Sequence, residues 1–184
     1  MAYLVDANVM ITPFATPSLH TLRLALGYSS TDAVVEWLKQ WFTSAFTSGH
    51  LVGSRELIGE VEKRKDVASQ LIQTLADNEL IRLLDPLPAT FDYLTQIEAF
   101  VRAHFREHQA DDFSRGYDGW YIALAKTYGI PLVTFEGLYL PQYRQDFRKI
   151  DGKVRIPFIA WVFEVECVSF YQVLSPPGTL GITA

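Results

Sequence analysis

The stretch AYLVDANVMITPF, residues 2–14, runs apolar through Val5, breaks at Asp6 and Asn8, and then turns apolar again. A short apolar run ended by a polar residue is the pattern of a strand buried on both faces, as the strands of a parallel sheet are. It predicts a strand over residues 2–5 with Asp6 at its carboxyl end. The pattern returns in IPLVTFE, residues 130–136, where Pro131 sits at the start of a second buried strand and Glu136 lies just past its end. KVRIP (153–157) and ECVSF (166–170) read as two further strands around a short helical segment, FIAWVF. Helices fill the intervals. After Ser30 or Thr31, either a good N-cap, Val34, Leu38, Trp41, Phe42 and Ala45 keep a helical period up to Gly49. Ser54 caps a helix through RELIGEVEKR, and another covers 66–76. ATFDYLTQIEAFVRAHFREH forms a long helix with Leu94, Ile97, Val101 and Phe105 on one stripe. DGWYIALAKTYG is a further helix, closed by Gly129. Strands separated by helices imply a parallel sheet covered on both faces, so the fold class is α/β.

A chain of 184 residues, 49% of them apolar, is long enough to bury one core and too apolar to be disordered. The formal charge of -5 excludes a surface coated in Lys and Arg that grips nucleic acid everywhere, while leaving room for a local basic groove. Cys167 stands alone, so no internal disulfide forms, and its VECVSF setting predicts a packed thiol. No repeat or linker divides the chain, the DPLPAT stretch (85–90) being only a turn, so residues 1–184 are expected to form one domain. No basic leader opens the sequence, and the apolar stretch IPFIAWVF stops at Glu164, well short of the ~20 residues of a membrane span. A cytoplasmic protein with no membrane segment is the expectation.

The acids carry the functional signal. Asp6 and Glu136 fall at the carboxyl ends of predicted strands, the edge at which parallel α/β sheets bind ligands. Asp118 opens a helix, and Glu60 lies beside the apolar stripe of Leu57, Ile58 and Val61. Each has an ordinary explanation: Asp118 as a cap, Glu60 as the partner of Arg64, Asp6 as a turn residue, Glu136 as the start of a loop. Together they repel one another, and clustered carboxylates inside a protein need a counter-charge. A divalent cation supplies it. All-oxygen ligands favour Mg²⁺ or Mn²⁺, ions suited to phosphodiester hydrolysis in nucleic acids. Asn8 and Thr134 can add a neutral oxygen or orient water, or equally be satisfied by local backbone.

The order YLVDANVMI, an acid within RELIGEVEK, DGWYIALAKTYG and then PLVTFE resembles the PIN domain, the nuclease fold of VapC-type toxins and related ribonucleases. The closing RIPFIAWVFEVECVSF, and Glu136 where many PIN domains carry Asp, are similar to a bacterial subfamily of PIN-like proteins of unknown function. The resemblance covers nearly the whole chain. It implies a three-layer α/β/α fold with a short central parallel sheet of four to five strands. It makes Asp6 the first-strand metal ligand, Glu60 the helix acid, Asp118 the acid opening the later helix and Glu136 the acid after the VT strand, with Asn8 at a polar position of the first motif. The implied activity is a Mg²⁺- or Mn²⁺-dependent endoribonuclease, the toxin of a toxin–antitoxin pair. An antitoxin protein would cover the groove or insert an Arg near the acids, and a homodimer would form through the aromatic helix of 31–47. There are two departures: Gly119 stands where the subfamily often has Pro, and TPFATPSLHTLRLALGYSSTD makes a long connection after the first motif.

Other readings compete. A non-catalytic PIN-like module that binds RNA or protein would keep the same acids. HFREH, residues 104–108, matches the H-x-x-E-H of inverted zinc peptidases, with His104, Glu107 and His108 as its chemistry, but it sits at the polar end of a helix. A phosphatase opening on D-x-D lacks its second acid, because Asn8 stands there. For substrate contacts, residues 139–155 carry Arg144, Arg148, Lys149, Lys153 and Arg155 against Asp146 and Asp151, a local balance of +3. Tyr139, Tyr143 and Phe147 are interleaved and can stack on unpaired bases, or equally pack inward from a solvated loop. The stretch QADDFSRGY is expected to be a polar, mobile loop from which Arg115 touches a phosphate.

Overall fold

The computed structural model describes residues 1–137, 150 and 152–174. Its first strand, β1 (Tyr3–Val5), leads through Asp6 into a short helix α1 (Ala7–Ile11), a 3-10 turn (Thr12–Phe14) and α2 (Thr16–Leu26). The long connection after the first motif is therefore mostly helical. Gly27 closes α2 at φ +70°, a left-handed conformation that suits glycine at a helix end. Helix α3 (Thr31–Thr47) starts where Ser30 accepts the Ala33 N–H at 3.2 Å. Then come β2 (Leu51–Val52), α4 (Arg55–Glu62), α5 (Val67–Asp77), α6 (Pro88–His104), α7 (Glu107–Arg115), α8 (Asp118–Tyr128), β3 (Leu132–Thr134), α9 (Ile156–Val162), β4 (Cys167–Ser169) and α10 (Phe170–Val173).

The four strands form one all-parallel sheet in the order β2-β1-β3-β4, flanked by helices in a three-layer α/β/α arrangement. Register pairs Leu4 with Val52 on one side of β1 and with Leu132 on the other, and Val133 with Val168 beyond. Leu4, Val5, Leu132 and Val133 are fully buried, as the apolar runs require.

Several expectations need correction. KVRIP is not a strand: residues 153–155 are irregular and Ile156 already opens α9, with Pro157 in its first turn. A proline cannot donate to a central ladder, whereas its fixed φ fits a first helical turn. The expected loop QADDFSRGY is helical as far as Arg115, because Ala110 and Phe113, three apart, bury one side of α7. The long helix through HFREH stops at His104; Phe105 is extended and bridges to Ile150. The aromatic face of α3 packs into the core of its own chain. Trp37, Trp41, Phe42 and Phe46 are buried, and Trp41 and Phe42 pack on Phe170 with centroids at 5.6 and 5.8 Å. Among the described residues, no helix is long and apolar enough to cross a membrane.

Candidate functional site

The chain winds outward from β1 to β2 on one side and from β3 to β4 on the other. The neighbours β1 and β3 therefore mark the point where connections diverge and a crevice opens at the carboxyl edge. Asp6 leaves β1 at that point, and Glu136 follows β3 by two residues. Two elements outside the sheet, α4 and α8, bring Glu60 and Asp118 towards the same edge.

Asp6 is 1% exposed and caps α1: Oδ1 accepts the Val9 N–H at 2.9 Å, and Oδ2 accepts the Thr134 hydroxyl at 2.8 Å. The same hydroxyl accepts the Glu136 N–H at 3.1 Å, so the wholly buried Thr134 ties the two strand ends together. Thr134 thus serves both the local backbone and the acid. Burial lifts the Asp6 carboxyl from 3.8 to about 7; its two hydrogen bonds pull it down, and the charges of Asp118 and Glu136 push it further up. Asp118 lies in the first turn of α8, with Tyr117 at the cap position. Burial raises it to about 6, with Glu136 and Glu60 adding to the rise and Lys153 opposing it.

Glu60 does not pair with its helix neighbour. Its Oε2 accepts the Tyr121 hydroxyl at 3.0 Å, while Arg64 meets Asp66 at 3.4 Å. Burial, reinforced by the charge of Glu60, drives the Tyr121 phenol well above its ordinary range, so this hydroxyl is a fixed donor. Glu136 has both oxygens engaged: Oε1 by Arg155 Nη1 at 3.2 Å and Lys153 Nζ at 3.6 Å, Oε2 by the Ile156 N–H at 2.8 Å. Beside Asp118, a cavity of about 340 Å³ opens between α7, the start of α8 and the Lys153–Val154 segment. Gly119 permits the close approach of α7 there, since a Cβ would meet Phe113 Cε1 at 3.1 Å and Leu94 Cδ1 at 3.2 Å.

Residues 3–178 match a family model described as a domain of unknown function, DUF4411. The chain belongs to this family. No curated protein and no solved structure gives a significant match. In this DUF4411 domain, then, chemistry has to be argued from the site. Among the described residues no three His, Cys, Asp or Glu side chains stand close enough to hold a metal ion as they are. The donor chemistry nevertheless fits a hard cation at the buried Asp6 and the half-buried Asp118, oxygen donors that each stand in the negative field of neighbouring acids. It fits less well at Glu136, whose oxygens already face two cations and an amide.

The remaining candidates of the DUF4411 domain divide clearly. Asn8 is exposed in the first turn of α1. Arg115, in the last turn of α7, pairs with Asp112 at 3.1 Å with both side chains largely in solvent. Arg144, Arg148 and Lys149, with the aromatic residues between them, lie outside the described residues. The zinc geometry of HFREH is broken: His104 ends α6 with Nδ1 2.9 Å from the Phe100 carbonyl, while Glu107 and His108 open the next helix. Cys167 is half-buried, and burial with the charges of Asp6 and Glu136 pushes its thiol up to about 12, far from a thiolate. Tyr121 is a site residue that the sequence reading passes over. Its spacing of three from Asp118, which puts both on one side of α8, was the available signal.

Proposed function

We propose that this chain is a PIN-like endoribonuclease that hydrolyses RNA phosphodiesters with Mg²⁺ or Mn²⁺ and acts as the toxin of a toxin–antitoxin pair in the cytoplasm. One observation carries the reading: Asp6, buried, and Asp118, half-buried, are raised to about 7 and about 6 at the crevice where the sheet connections diverge. Buried carboxylates that repel one another are costly unless a cation joins them, and such groups cluster at functional sites. Asp6, Asp118 and the second oxygen of Glu60 would hold the ion, with Glu136 completing the acid group from its place against Arg155. When bound, the ion polarises a phosphoryl oxygen and acidifies water.

The chain's own residues do the positioning. Thr134 and the Val9 amide fix the orientation of the Asp6 carboxylate, and Tyr121 fixes Glu60. Lys153 and Arg155 bring positive charge to an otherwise acidic edge, which a chain of charge -5 needs if it is to receive a polyanion. An antitoxin would act by placing a cation of its own among Asp6, Asp118 and Glu60.

The test is cleavage of single-stranded RNA with and without Mn²⁺, by the wild type and by Asp118→Asn. The variant is expected to fold as the wild type does and to lose cleavage by at least about a hundredfold. Full cleavage by a folded variant rejects the reading, and RNA binding by the wild type with no metal-stimulated cleavage points to a non-catalytic binding module.

A further inference from the structure

The cavity next to Asp118 has a wall that the acid group does not use. Its lining includes Lys153 from one side and His108 and Gln109 from the first turn of α7 on the other. At about 340 Å³ it lies at the small end of the ~300–1,000 Å³ range typical of ligand sites. Three features give it a polarity. Gln109 Oε1 accepts the Arg106 N–H at 3.2 Å, which turns its amide so that the NH₂ end is left to donate. Asp112, also in the lining, has its charge met by Arg115 at 3.1 Å. Lys153 is 65% exposed, and its Nζ stands 3.6 Å from Glu136 Oε1, beyond hydrogen-bond length, while Arg155 holds that same oxygen at 3.2 Å. The carboxylate is thus bonded by the arginine and by the Ile156 amide, and the lysine is docked near it with its N–H donors available.

The geometry points to this cavity as a phosphate subsite, in which Lys153, His108 and Gln109 hold the nonbridging oxygens of an RNA phosphate against the acid group. The assignment rests on the ribonuclease reading for the identity of the polyanion. It gives Glu136 a role distinct from metal ligation. By gripping Arg155 and the Ile156 amide, Glu136 docks the segment that carries Lys153, which makes it a positioning residue. An anion beside Asp118 needs a cation between the two, and Lys153 is placed to be that cation. A lysine suits the task, because a compact ammonium binds phosphate as a point charge.

The experiment is binding of a fluorescein-labelled single-stranded RNA in EDTA, so that the probe stays intact, over a series of KCl concentrations. Lys153→Ala is expected to weaken binding about tenfold at low salt and to reduce the slope of log K against log salt by about 0.7, the loss of one phosphate contact. Lys153→Arg is expected to restore both, and His108→Ala and Gln109→Ala to cost a few-fold each with the slope unchanged. Because Lys153 is largely exposed, folding of its variants is not at risk, and the melting temperature of Gln109→Ala, which loses the bond to the Arg106 N–H, is checked alongside. Unchanged affinity and slope in Lys153→Ala overturn the assignment, as does failure of the wild type to bind the RNA. Lysine-dependent binding by a wild type that shows no Mn²⁺-stimulated cleavage upholds the subsite and rejects the nuclease. Cleavage by a wild type whose Lys153→Ala variant binds equally well does the reverse.

Discussion

At the amino edge of the sheet, Glu164 and Glu166 stand in solvent. Lys126 meets Glu164 at 3.3 Å beside a hollow of about 280 Å³ that also includes Met1 and Pro131. At the carboxyl edge, Asp6 is buried and Asp118 half-buried, and both feel the charges of neighbouring acids. Carboxylates stand at both edges, but water reaches those of the first and is excluded from Asp6 at the second. The asymmetry follows from parallel topology: β1, β2 and β4 run at their carboxyl ends directly into helices α1, α4 and α10, whose starts crowd that edge, and α8 adds its own. Acids at one edge are surface; acids at the other are stored electrostatic energy.

The largest break in that comparison is Asp6→Asn. Folding takes up a proton at Asp6 wherever the pH lies between 3.8, its ordinary value, and about 7, its value in the folded chain. Metal-free stability should therefore fall as pH rises from about 4 to about 7 and level off above, a loss of the order of a few kcal/mol, with Asp118 contributing in the same direction up to about 6. Asn caps helices as well as Asp does, so Asp6→Asn should flatten this dependence and raise the metal-free melting temperature at pH 8. Thermal unfolding in EDTA across pH 4–8 measures it; a wild-type curve that rises over that window contradicts the burial argument.

A smaller effect is expected at Thr134→Val. Removing the hydroxyl leaves Asp6 Oδ2 and the Glu136 amide without the partner they share, at a cost of about 1–3 kcal/mol, read from urea unfolding midpoints. Smallest of all should be Lys126→Ala, which breaks a surface ion pair at the opposite edge and should shift stability by less than about 1 kcal/mol by the same measurement. An effect at Lys126 as large as that at Thr134 would mean the two edges are less different than their burial implies.

Much of this architecture is written in local pattern. Tyr3–Val5 and Leu132–Thr134 are apolar runs long enough to recognise, and α3, α4, α5 and α8 have apolar periods with good caps or closing glycines. The strand β2 escapes because two residues, Leu51 and Val52, make no period at all. Helix α7 escapes because only Ala110 and Phe113 mark its buried side within a polar stretch. The strand read into KVRIP failed on Pro157, which cannot donate to a ladder and whose fixed φ suits the first turn of a helix. At the site, Asp6 and Glu136 were legible because they lie one and two residues past the ends of strands. The pairing of Glu60 with Tyr121, 61 positions apart, was not, and neither was the joining of Lys153 to α7 across one cavity.

The sequence by itself determined the class of fold and the edge at which Asp6 and Glu136 emerge, because strand periodicity and the direction of a parallel chain are local properties. Tertiary structure alone decided the condition of the acids: which is buried, which is bridged by Thr134, and which is already met by Arg155. Burial and Coulomb interaction depend on neighbours in space, and residues 6, 60, 118 and 136 become neighbours only when the sheet closes and the helices pack over its carboxyl edge.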